Sequence, residues 1–165
     1  MQPSPHDPSM DDRLGGMGCE YYTELTAQYL EDMPEAKLLD TSQQVDRNVV
    51  WFEFTPEEDD GPAAPIEMSV SVYPDSPAVT VGADTRIPFH SFQGNAAWIL
   101  RTCADYGVGI DLEVDDDAGE TWMFIFLRVF WAGYNYEVLG AACDDLAECR
   151  KTLAARLPIR SRSTE

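Results

Sequence analysis

The stretch Glu120–Trp131, ETWMFIFLRVFW, decides the fold. Read as a strand, its side chains alternate between two faces. One face carries Trp122, Phe124, Phe126, Arg128 and Phe130; the other carries Met123, Ile125, Leu127, Val129 and Trp131. Both are apolar, so neither suits water. Such a strand belongs in the middle of a sheet. Helices cover one side, and more protein, from this chain or from a partner, covers the other. The stretch is shorter than the ~20 apolar residues of a membrane-spanning helix. Its aromatic and β-branched content argues against a buried helix.

Working outward, Val108–Val114 alternates, with Val108, Ile110, Leu112 and Val114 on one face and Gly109, Asp111 and Glu113 on the other. The turn from Asp115 to Gly119 makes it a hairpin partner of the long strand. Before it, Pro88 and Ser91 open a helix that Gly107 closes. The apolar stripe of that helix is Phe92, Ala96, Ile99 and Cys103. Trp98 lies off the stripe. It either folds over the sheet edge or anchors an interface, since exposed aromatics are common hot spots.

Further back, Tyr22, Leu25, Tyr29 and Met33 mark a helix from Cys19 to Met33, ended by Pro34. Ala36–Arg47 is polar, and Lys37-Leu38-Leu39 fits a short strand or a loop. Asn48–Phe54, Ile66–Tyr73 and Ala78–Gly82 read as strands of an antiparallel meander. Beyond Gly133, Leu139, Cys143, Leu146, Leu153 and Leu157 trace the buried side of a last helix, Tyr136–Leu157. The order is helix, three strands, helix, two strands, helix. That is an α+β fold with a five-stranded, mainly antiparallel sheet and three helices. One domain is expected over residues 17–157, between a disordered tail (1–16) and a basic flexible tail (158–165).

The net charge of −19 is extreme for 165 residues. It excludes nucleic acid as a direct ligand, because phosphate binding needs Lys and Arg. It favours partners with basic surfaces. Arg150, Lys151, Arg156, Arg160 and Arg162 crowd the far end, so an acidic body carries a basic end. The opening MQPSPHDPSMDD has neither the basic region nor the apolar run of a secretory signal. No membrane span follows. Reduced cysteines and a cytoplasmic location are therefore expected.

No catalytic constellation emerges. Asp111, Glu113, Asp115, Asp116 and Asp117 form the densest acidic cluster, but a calcium loop needs glycine at its sixth position. Counted from Asp111 that position is Asp116; counted from Asp115 it is Glu120. A solvated hairpin turn is the better account. His90-Ser91 is a sequence neighbourhood, not an oriented nucleophile–base pair, and Ser91 reads as a helix cap. Gly15-Gly16 and Gly107/Gly109 do not follow phosphate-loop or dinucleotide spacing. Cys103 and Cys143 lie on helix stripes and read as core. No enzyme activity, metal site or cofactor is expected.

The stretch SFQGNAAWILRTCADYG, followed by VGIDLEV and WMFIFLRV, joins a glycine-ended helix, an alternating strand, an acidic turn and a long apolar strand. This order resembles class I type III secretion chaperones and the bacterial YbjN-like proteins that share their fold. The similarity spans roughly Cys19 to Leu157. The aromatic-rich last strand and the basic tail depart from it. The resemblance implies a small acidic homodimer that binds other proteins and has no enzyme activity. Dimerisation would also cover the second apolar face of Glu120–Trp131. A two-fold dimer through the second helix and the last two strands is therefore expected. Trp98, Phe124, Phe126, Phe130, Asp111 and Glu113 are its candidate interface or partner contacts. The functional expectation is an adaptor or chaperone-like module engaging a basic protein, for example a DNA-binding protein. The alternative is a small-ligand sensor, its pocket between sheet and helices walled by Trp51, Phe52 and Trp122.

Overall fold

The computed structural model describes residues 8–58, 61, 63–115, 117 and 120–160. Among the described residues, three helices pack against a single antiparallel sheet. The elements are α1 (Pro8–Asp32), β1 (Ala36–Gln43), β2 (Asn48–Phe54), β3 (Ile66–Val72), β4 (Ala78–Pro88), α2 (Phe89–Asp105), β5 (Gly109–Asp115), β6 (Glu120–Phe130) and α3 (Tyr136–Ala154), with a 3-10 turn at Trp131–Gly133 before α3. The strand order is β1-β2-β3-β4-β6-β5.

The sheet has six strands rather than the expected five. The added one is β1, which pairs antiparallel with β2. Its pattern is hard to read because the register shifts between Leu38 and Asp40 and because, at the sheet edge, polar residues serve both faces. β4 also outruns the expected Ala78–Gly82. It pairs with β6 over its full length, from Ala78↔Phe130 to Pro88↔Glu120. β6 therefore lies between β4 and β5, interior as its sequence demands.

One sheet face carries Val50, Phe52, Met68, Val70, Val81, Met123 and Ile125, all essentially inaccessible to solvent. They share a continuous core with Leu30 of α1, Ile99 of α2 and Leu139, Leu146 and Leu153 of α3. The predicted stripe of α3 is buried; that of α2 is buried at Ile99 and Cys103 and half-buried at Phe92 and Ala96, with Thr102 buried beside it. That of α1 is rotated. Tyr22, Leu25 and Tyr29 sit on the flank, while Cys19, Thr23, Thr26, Leu30 and Met33 face the sheet. Threonines can be buried there because each hydroxyl is satisfied. Thr23 Oγ1 donates to the Cys19 carbonyl (2.6 Å) and accepts from Asn48 Nδ2 (3.2 Å). Thr26 Oγ1 bonds the Tyr22 carbonyl and the Tyr134 hydroxyl, both at 2.6 Å. The displaced Tyr22 instead stacks on Trp131, centroids 4.7 Å apart.

α1 begins at Pro8 rather than Cys19, so part of the expected tail is helical. Proline suits a first turn because its missing N–H has no helical partner there. Residues 1–7 lie outside the described residues. α2 starts at Phe89 with Pro88 as its N-cap and no side-chain cap, so Ser91 does not cap it. Gly107 does end it. At φ +67°, its N–H bonds the Ala104 carbonyl (3.0 Å) and the Val108 N–H bonds that of Cys103 (2.9 Å). This is the Schellman pattern that glycine permits without strain. At the other end the chain stays docked past Leu157. Leu157 is buried, and Arg160 exchanges both backbone hydrogen bonds with Arg86 of β4 (3.0 and 2.9 Å). The expected basic tail is thus tied to the sheet as far as Arg160; residues 161–165 lie outside the described residues. No helix among the described residues is long and apolar enough to cross a membrane.

The acidic excess has a local consequence on α3. Partial burial, then Glu35, Asp145, Glu57 and Glu148, hold the Asp144 carboxyl above its ordinary value. A raised carboxyl binds its proton more tightly in the folded chain than in the unfolded one, so its ionisation opposes folding as pH rises. Stability contributed by Asp144 protonation grows as pH falls through its folded pKa. The melting temperature of Asp144→Asn is therefore expected to exceed wild type by about 1–2 °C near neutrality, and the gap to close on acidification. A pH series of thermal melts on both proteins checks this.

A curled sheet face and its cleft

The face of the sheet away from the helices is not flat. Val49 and the two serines Ser69 and Ser71 point to it, yet they are only 1%, 5% and 5% exposed. No helix of the described chain covers them. The sheet covers them itself, by curling until residues of edge strand β5 and of β2 face one another. The result is a cleft of about 470 Å³ lined by Gln44, Arg47, Trp51, Ser69 and Ser71 on one side and by Asp111, Glu113, Trp122 and Phe124 on the other. A second hollow of about 560 Å³ continues it past Tyr73, Asp75 and Arg128, sharing Arg47, Asp111 and Phe124.

Two glycines permit the curl. Gly82 pairs with Phe126 across β4–β6, and Gly109 pairs with Phe126 across β5–β6. A Cβ at Gly109 would come within 2.7 Å of the Phe126 ring, and one at Gly82 would enter the space of the Phe124 ring. Each ring lies where a side chain would otherwise stand. Phe124 and Phe126 in turn stack at 5.8 Å and 21°. The rings therefore roof bare backbone and turn outward as the cleft floor.

Arginines fix the aromatic walls. The Arg86 guanidinium lies 3.9 Å from the Trp122 ring centroid, and that of Arg128 lies 5.6 Å from Phe126. Arg47, in the β1–β2 turn, donates to the Tyr73 hydroxyl at 2.6 Å and to Gln44 Oε1 at 3.1 Å. These contacts set guanidinium charge against ring quadrupole.

The residues singled out from sequence separate into two places. Asp111 pairs with Phe124 and Glu113 with Trp122, so the acidic edge and the phenylalanines meet at the cleft. Phe130 is at the far end of the same face, 68% exposed. Trp98 is on the opposite side. It is half-buried against the helical core, with the Arg156 guanidinium 4.7 Å from its ring. No single surface holds all six. Of the expected small-ligand pocket walls, Trp51 and Trp122 do face one cleft, but on the sheet's outer face. Phe52 is fully buried on the helix side. Arg47, Tyr73 and Gln44 were not indicated by the sequence, because a turn carries no periodicity to place them.

The cysteines are core. Cys103 of α2 and Cys149 of α3 hydrogen-bond to one another, which holds the Cys149 thiol well above its ordinary value. Burial does the same to Cys143. No group of three or more His, Cys, Asp or Glu among the described residues is placed to hold a metal ion.

No family model matches the chain, and no curated protein matches it in sequence. In structure it is similar to an uncharacterized protein from Methanothermobacter thermautotrophicus known from a crystal structure, with a TM-score of 0.60 at 12% identity, over 80% of this chain and 93% of that one. At that identity the likeness is one of fold.

Proposed function

We propose that the chain is a non-enzymatic protein-binding adaptor of the YbjN-like, chaperone-like kind that its order of elements resembles. It acts in the cytoplasm as a homodimer and holds a basic partner on the curled face of its sheet. One observation carries the reading. That face is aromatic and uncovered by helices, with Asp111 and Glu113 along its rim. Apolar area with an acidic border, on a chain of net charge −19, suits a partner with a basic surface. A DNA-binding protein, whose own recognition surface is basic, is that kind of partner. For the homodimer, Leu100 of α2 (50% exposed) and Leu112 of β5 (38%) offer exposed apolar area on two elements that pack together.

The test uses wild type and Phe130→Asp, each immobilised and exposed to nuclease-treated native lysate at low and high salt. The expected result is one dominant basic protein, held by wild type, lost at high salt and lost by the variant. It should then rebind stoichiometrically when purified. An eluate holding only this chain sinks the adaptor. Light scattering at micromolar concentration is expected to give twice the chain mass, and a single-chain mass removes the homodimer.

The second reading is a small-ligand sensor. Its support is the cleft volume, which falls within the ~300–1,000 Å³ of small-molecule sites. It predicts a thermal shift with a metabolite and no stoichiometric protein partner.

A further inference from the structure

We infer that the cleft between Trp51 and the Asp111–Glu113 rim receives a cationic side chain, a guanidinium or an ammonium, carried by an extended segment of the partner. The inference rests on the adaptor reading and names the chemistry of its central contact.

Charge and shape select this occupant together. Asp111 and Glu113 are exposed and stand on the edge strand above a floor formed by Phe124 and a wall formed by Trp122. Asp111 accepts only the Leu112 N–H (3.0 Å) among the described residues, and no described ion pair engages Glu113. A long basic side chain can lay its methylenes on the rings and its charge against the carboxylates. The same face already shows this chemistry within the chain, where Arg86 lies on Trp122, Arg128 on Phe126 and Arg47 on Tyr73. Arginines bracket the seat. Arg47 is anchored by Tyr73 and Gln44 at the turn end of the cleft, and Arg86 lies on Trp122 beside Glu113, so a cation is best placed between them, over Phe124 and against the Asp111 and Glu113 carboxylates. The other N–H groups of Arg47 suit the segment's backbone carbonyls. The hydroxyls of Ser69 and Ser71 add neutral polar groups to the floor.

The probe is a short end-capped peptide alternating arginine with valine, with lysine and citrulline versions, titrated calorimetrically at low and moderate salt. The arginine or lysine peptide is expected to bind and the citrulline peptide not. Whichever cation binds tighter assigns the seat to guanidinium or ammonium. The Asp111→Asn/Glu113→Gln double variant should weaken binding about tenfold and flatten its salt dependence. A control, Glu31→Gln/Asp32→Asn on the exposed side of α1, removes the same charge elsewhere and should leave binding nearly intact. Equal binding of citrulline, or equal loss in the control, overturns the inference. A captured protein partner that binds the Asp111/Glu113 variant undiminished also overturns it while leaving the adaptor standing. Absence of any partner removes both.

Discussion

Replacing Phe52 by alanine is expected to destabilise the fold by about 3–5 kcal/mol. Replacing its neighbour Trp51 is expected to cost only about 1 kcal/mol. The difference follows from strand alternation alone. Phe52 is completely buried on the helix face, with Met68 opposite it on β3 and Leu38 opposite it on β1. Removing its ring leaves a void walled by two strands and a helix layer, none of which can move in to fill it. Trp51 points the other way, half-buried against the cleft. Its loss removes a wall rather than a core. The two variants should therefore separate stability from binding. Phe52→Ala shifts the urea midpoint, read by far-ultraviolet circular dichroism. Trp51→Ala folds normally and fails to bind the arginine or lysine peptide. Comparable midpoints for the two would mean that β2 presents its faces the other way round.

The same alternation explains what could be read from sequence and what could not. Period two separates Met123 and Ile125 from Phe124 and Phe126 on β6, and Met68 and Val70 from Ser69 and Ser71 on β3, but with both faces of β6 apolar only packing shows that Met123 and Ile125 meet the helices. Leu139, Leu146 and Leu153 mark the buried face of α3 from the helical period. β1 escaped because an edge strand with a register shift loses its period. α1 was misjudged because its inner face includes Thr23 and Thr26, whose hydroxyls are satisfied by specific partners that composition does not reveal. The cleft was half legible. The sequence requires a second cover for β6 and marks Asp111, Glu113, Phe124 and Phe126. It does not announce that the sheet curls over itself, because curl depends on where glycine on one strand meets a ring on the next. The sequence left Trp98 between folding over the sheet edge and anchoring an interface, because its contact with Arg156 depends on the packing of α2 on α3.

Gly82→Ala is expected to cost about 1–3 kcal/mol, as overpacking does, and to disable the cleft at the same time. Gly82 has no positive φ among the described backbone angles, so its role is space and not conformation. The added Cβ would sit 2.5 Å from Phe124 Cε2 and 3.0 Å from the Ile125 carbonyl oxygen. The carbonyl belongs to the β4–β6 ladder and cannot yield, so the Phe124 ring must leave its seat. Once displaced, it intrudes on the space between Trp122 and Ser71 and drags the floor out of register with Asp111, its partner on β5. Phe124→Ala should also destabilise, by about 1–3 kcal/mol, because it uncovers Gly82 and removes the stack with Phe126. Combined, the two substitutions should cost less than their sum by about 1 kcal/mol or more, since alanine at 82 then occupies the volume the ring gave up. Urea unfolding of the four proteins closes the cycle. Additive costs would mean that the ring does not rest on Gly82, and the cleft would then need another origin. A coupled cycle with peptide binding lost in all three variants makes the glycine–ring pair the joint on which curl, floor and recognition depend together.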